Sequence, residues 1–116
     1  MVNASELLQT WVNAIKSGDP KQVTSLYHQD GILLGTFSAA ERVGHELILE
    51  YFENLLKNPV EVDVISEHPH DFESSAVNSG LYNFVTGGKT IKARFSFAYD
   101  ADGKIVSHHS SILPET

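Results

Sequence analysis

The sequence predicts an α+β domain, with three helices at the N-terminal end packed on one face of a strongly bent antiparallel sheet. Three observations carry that prediction. Apolar residues recur at steps of three and four up to Pro59, the period drops to two after it, and the alternating half is cut into long runs by Gly87-Gly88 and Asp100-Ala101-Asp102-Gly103.

Asn3 and Glu6 have capping-box spacing, and Leu8, Trp11, Val12 and Ile15 then share one face, which gives a first helix over residues 4 to 17. Gly18 can close that helix in the left-handed conformation. Asp19-Pro20 supplies an N-cap and a first-turn proline for a second helix that turns Val23, Leu26 and Tyr27 inward. Asp30-Gly31 reads as its breaker, Ile32-Leu33-Leu34 as a short strand, and Gly35 to Gly44 as a polar loop carrying Phe37 and Arg42. From Glu46 to Lys57 the set Leu47, Ile48, Tyr51, Phe52, Leu55 and Leu56 repeats at helical spacing until Pro59 stops it. Val60, Val62 and Val64 alternate with Glu61 and Asp63 as a half-buried strand. A turn over 71 to 75 leads into a strand over 77 to 86, the Gly87-Gly88 hairpin, a strand over 90 to 99, the second turn, and a last strand over 104 to 113.

The chain has 116 residues and a formal net charge of −7, with six Phe, four Tyr and one Trp to fill a core, so one domain over residues 1–116 is expected. Fifteen acidic residues against eight basic ones repel phosphate backbones and anionic head groups, which argues against nucleic acid and membrane as partners. There is no cysteine, hence neither thiolate chemistry nor a thiolate-held metal. Met1-Val2-Asn3-Ala4 lacks a basic start and no apolar run approaches a span, so a cytoplasmic address is expected.

The runs Ser17-Gly18-Asp19, Tyr51-Phe52-Glu53-Asn54-Leu55, Asp102-Gly103-Lys104 and His109-Ser110-Ser111 resemble the association domain of calcium/calmodulin-dependent protein kinase II. The likeness is strongest to its stand-alone bacterial relatives, whose last strand ends in a His-His-Ser-Ser stretch followed by a proline such as Pro114. It covers nearly the whole chain. It implies a cone of the nuclear-transport-factor-2-like, cystatin-like kind, with a deep pocket and subunits pairing through the sheet, and it implies no kinase activity. That superfamily also holds ketosteroid isomerases and polyketide cyclases, so fold alone assigns no chemistry.

In isomerases of this fold the base sits just after the second helix. Here residues 31 to 37 contain neither carboxylate nor histidine, and Asp30 falls at a turn position suited to capping. His108-His109-Ser110-Ser111 puts His108 and Ser110 on one face of the last strand and His109 and Ser111 on the other, so the histidines cannot grip one metal, and no Gly-rich elbow frames either serine. His68-Pro69-His70-Asp71 has two histidines on one face but no complete ligand set, and reads as a solvated turn.

Arg94 and Ser96 share a face of the preceding strand. The arginines that line the pocket in mammalian kinase association domains fall at Tyr82, Ser96 and Ser110, none of which is arginine here; Arg94, on the same side as Ser96, either offers a single guanidinium to a carboxylate ligand, pairs with a carboxylate at a subunit interface, or lies along solvent. Arg42 reads as a surface charge. The expected protein is therefore a homodimer or larger assembly whose cone pocket, made of Tyr51, Tyr82, Arg94, Ser96, His108 and Ser110, binds a small organic molecule, with a carboxylate as one ligand class. No cofactor and no metal are expected. One alternative is an isomerase- or cyclase-like enzyme using His108 or His109 as acid and base, and another is a pure assembly module whose pocket is vestigial.

Overall fold

A computed structural model describes residues 2–115. The chain runs α1 (Ala4–Ser17), α2 (Pro20–Thr24), β1 (Tyr27–Leu34), β2 (Arg42–Val43), α3 (His45–Leu55), β3 (Glu61–Glu67), β4 (His70–Asp71), β5 (Ala76–Thr86), β6 (Lys89–Tyr99) and β7 (Ile105–Ile112). The strands form one sheet in the order β2-β1-β7-β6-β5-β3, with β4 paired to β5. Neighbours are antiparallel except β1 and β7, which are parallel.

The sequence signals act locally as expected in α1. The Asn3 side chain accepts from the Glu6 N–H, Gly18 closes the helix at φ 77°, and Leu8, Trp11, Ala14 and Ile15 are buried on one face. Asp71 adds a tie from afar by accepting the Ala4 N–H at 2.8 Å, so the His68-Pro69-His70-Asp71 stretch anchors a helix end to the sheet. His70 is exposed and stacks on Phe72. Among the described residues no group of three His, Cys, Asp or Glu is placed to hold a metal, and no helix is long and apolar enough to cross a membrane.

Two elements differ from the sequence reading. The second helix stops at Thr24, and Tyr27 opens β1, which continues through Asp30-Gly31 instead of breaking there. Pairing with β7 overrides the turn preference of Asp-Gly. The ladder slips between Tyr27 and Ile32, and at Gly31 an added Cβ would stand 2.9 Å from the Ile105 carbonyl oxygen, so a glycine is what lets the two backbones approach. In the 35–44 loop, Arg42 and Val43 add a two-residue edge strand opposite Leu33 and Ile32.

A second slip, between Val64 and Ser66 on β3, bends the sheet over the helices. Gly80 faces this bulge. A Cβ there would lie 2.1 Å from the Ser66 carbonyl oxygen, which makes the position intolerant of any side chain. The inner concave face is lined by Val62, Tyr82, Phe84, Ala93, Phe95, Phe97, His108 and Ser110, all buried. Trp11 fills the cone from the helix side, stacking on Tyr82 at 5.7 Å and meeting Phe97 edge-on at 5.4 Å.

Candidate functional site

The β6–β7 ladder decides which polar residues meet. It pairs Phe95 with Ser110, Phe97 with His108, Arg94 with Ser111 and Ser96 with His109. Directly opposed residues share a face, so His108 and Ser110 point inward while Arg94 and Ser96 point outward beside His109 and Ser111. The expected six-residue pocket is thereby split. Tyr82, His108 and Ser110 are brought together inside, with Tyr51 nearby, whereas Arg94 and Ser96 are exposed on the convex side. Arg94 lies across from Leu81 and Ser111, and Ser96 Oγ sits 3.1 Å from Ser79 Oγ.

The inner residues form one hydrogen-bonded chain. Trp11 Nε1–H donates to Tyr27 Oη at 3.2 Å, Tyr27 Oη is 2.7 Å from His108 Nδ1, and His108 Nε2 is 3.1 Å from Tyr82 Oη. Tyr82 donates to Ser110 Oγ at 2.7 Å, which in turn contacts Thr36 Oγ1. Tyr82 spends its single hydrogen on Ser110, so His108 carries its proton on Nε2 and donates it to Tyr82 Oη, and the bare Nδ1 accepts from Tyr27. Every link from Trp11 to Ser110 then points the same way.

His108 lies flat on Phe97, with ring centroids 3.9 Å apart, and burial followed by the neighbouring His109 holds its pKa down to about 3. It is neutral near pH 7 with both nitrogens engaged. Burial likewise pushes the Tyr82 and Tyr27 hydroxyls well above the ordinary tyrosine range, so the chain holds no charge. Beside His108 lies a void of about 10 Å³ among Trp11, Tyr51, Phe84, His108 and Ser110, enough for one water at most, while the Ser110–Thr36 end of the chain borders a separate recess of about 240 Å³. The cone interior is closed and aromatic-filled.

Open space begins at the cone mouth, where a recess of about 410 Å³ lies between the 35–42 loop, the end of α3 and the β5–β6 hairpin. Tyr51 separates the two compartments and lines both. Its ring rests against Gly35, where a Cβ would stand 2.4 Å from the ring, and its hydroxyl accepts the Phe37 N–H at 3.3 Å. Burial pushes that hydroxyl up to about 12, so it stays a donor at any working pH.

Arg42 borders this recess and is no surface charge. Its side chain is 13% exposed, Nη1 pairs with Glu50 at 2.9 Å, Nη2 donates to Ser38 at 3.2 Å, and Nε is buried without a partner. Arg42 pins the loop onto α3. The eight-residue separation from Glu50 across a strand and a turn is a contact that no sequence spacing signals. Asp30 is exposed, its N–H bonded to His28 Nδ1, so no carboxylate faces the cone from that stretch.

A bent sheet closed by three helices over an aromatic cone is the nuclear-transport-factor-2-like class. A Pseudomonas putida protein of that class superposes with a TM-score of 0.84 at 16% identity, over 97% of this chain and 85% of its own. An epoxide hydrolase/cyclase-like enzyme of pyran-ring formation in the polyether salinomycin does so at 0.76 and 15% identity, over 94% and 89%. These two are similar in fold alone. A Xanthomonas campestris protein named for the calcium/calmodulin-dependent protein kinase II association domain gives a TM-score of 0.88 at 36% identity, over 97% of this chain and 86% of its own. The model of the calcium/calmodulin-dependent protein kinase II association domain family matches residues 3–114, and the chain belongs to that family. No curated protein matches it.

Proposed function

We propose that this chain is a self-associating domain, copies of which pair through the convex face of the sheet, and that its cone mouth takes a small organic molecule. The observation that carries assembly is the composition of that face. The ladders set Val77, Ala98, Ser107 and Ile32 in one row and Ser79, Ser96, His109 and Leu34 in the next. Ser79, Ser96, Ala98 and Ser107 are short, and Val77, Ile32 and Leu34 are each nearly two-fifths exposed, which is a surface that a second copy can cover, with Arg94 and His109 beside it. The family's association function accords with this reading.

The acid–base alternative has less behind it. His108 is neutral, doubly bonded and shut off from any cavity that admits a substrate, and His109 lies on the convex face.

Multi-angle light scattering at tens of micromolar is expected to give a multiple of the 12.8 kDa chain mass. Ser96→Glu places a carboxylate in the middle of the face, where a two-fold axis would set it near its own copy. That variant is expected to run near 12.8 kDa with an unchanged circular-dichroism spectrum, because Ser96 is exposed in the single chain. A parent protein that is monomeric throughout refutes the assembly reading.

A further inference from the structure

We propose that the recess at the cone mouth selects an uncharged small molecule, an aromatic or alicyclic amide or ketone, over an anion or a cation of the same shape. The inference rests on the reading of the mouth as a ligand recess and adds its chemical class. Its volume of about 410 Å³ falls in the range of small-molecule sites.

Apart from Arg42, the polar groups that line it are neutral. Tyr51 accepts from the Phe37 N–H and keeps its own hydrogen to donate, while the Asn54 and Asn58 amides each offer both a donor and an acceptor. Phe37 and Ile91 supply the apolar walls. The only charged liner is Arg42, whose charge is already matched by Glu50 and whose Nε is covered.

An anion entering here has to compete with Glu50 for Arg42. It also approaches the exposed Glu41 and Glu53, sequence neighbours of the liners Arg42 and Asn54. A cation meets the Arg42 guanidinium in the wall and finds no carboxylate among the liners. Either ion also loses hydration on entry, a cost that a carbonyl satisfied by one hydroxyl or amide donor largely escapes. The carbonyl leaves the Arg42–Glu50 pair, and with it the loop, in place.

Three probes of nearly one shape separate these cases: benzamide, benzoate and benzamidinium, titrated at pH 7 into the ¹⁵N-labelled full chain and followed by amide chemical shifts. Benzamide is expected to give saturable shifts at Phe37, Ser38, Asn54 and Asn58, with benzoate and benzamidinium binding at least about ten-fold more weakly. Tyr51→Phe is expected to weaken benzamide by roughly three- to ten-fold, the value of one neutral hydrogen bond, without altering shifts in β6 and β7. Benzoate or benzamidinium binding as tightly as benzamide overturns the charge assignment while leaving the recess as a ligand site. Saturation by none of the three up to millimolar concentration overturns the recess reading itself, and the inference with it.

Discussion

Replacing His108 with alanine is expected to lower the unfolding free energy by about 3 to 5 kcal/mol, which is a large part of the stability of a domain this size. Three losses combine. The imidazole leaves a hole against Phe97 and Trp11, Tyr27 loses its acceptor, and Tyr82 loses its donor in the dry interior. His108→Phe restores the stack but not the bonds, and separates packing from polarity with an expected cost near 2 kcal/mol.

The same residue sets a pH dependence whose sign follows from its low pKa. The unfolded chain takes up a proton on this histidine near pH 6.5, whereas the folded chain resists until about pH 3. Stability contributed by neutral His108 is therefore complete above pH 6.5 and is lost as pH falls from there toward 3. The loss is about 2 kcal/mol between pH 7 and pH 5. Urea unfolding at those two pH values checks this against His108→Phe, which should lack that share of the change. An equal slope in parent and variant would assign the effect to other groups.

Gly80→Ala is expected to be nearly as damaging although it adds one methyl group. The new Cβ would meet the Ser66 carbonyl oxygen, the Ser66 carbonyl carbon and Glu67 Cα, all backbone atoms that cannot swing aside. β3 must move off β5, undoing the pairing of Ser66 with Leu81 and Glu67 with Gly80. A cost of about 3 kcal/mol corresponds to a melting temperature lower by roughly 10 °C. Thermal unfolding followed by circular dichroism tests it. A variant melting within about 2 °C of the parent would mean that the bulge has room the geometry denies.

Much of this fold is legible in the sequence because its signals are local. Asn3, Gly18, Asp19 and Pro20 set helix ends by chemistry within a few residues, and alternation from Val60 onward needs only a period of two. The parallel pairing of β1 with β7 is not legible. It joins residues some seventy-five positions apart, and it turns Asp30-Gly31 from a turn signal into the middle of a strand.

The candidate site divides along the same line. Alternation correctly groups Arg94 with Ser96 and His108 with Ser110, but which group faces the cone depends on register, and one residue of slip exchanges the faces. That register passes through an irregularity between Ala98 and Tyr99, beside the 100–104 turn, and no pattern in the sequence counts the residue it absorbs. Arg42 is missed for a related reason. Its partner Glu50 sits in the exposed stripe of α3, so helical periodicity marks it only as solvated.

The parallel contact between β1 and β7 also bears on how the molecule comes into being on the ribosome. A strand made early has no neighbour except the two-residue β2 until Ile105 to His109 have been synthesised. Until then Leu33 and Tyr27 lack the inner-face partner that His108 supplies. Nascent chains stalled before residue 105 should therefore be protease-sensitive throughout, helices included, and resistance should arrive in one step once β7 has left the exit tunnel.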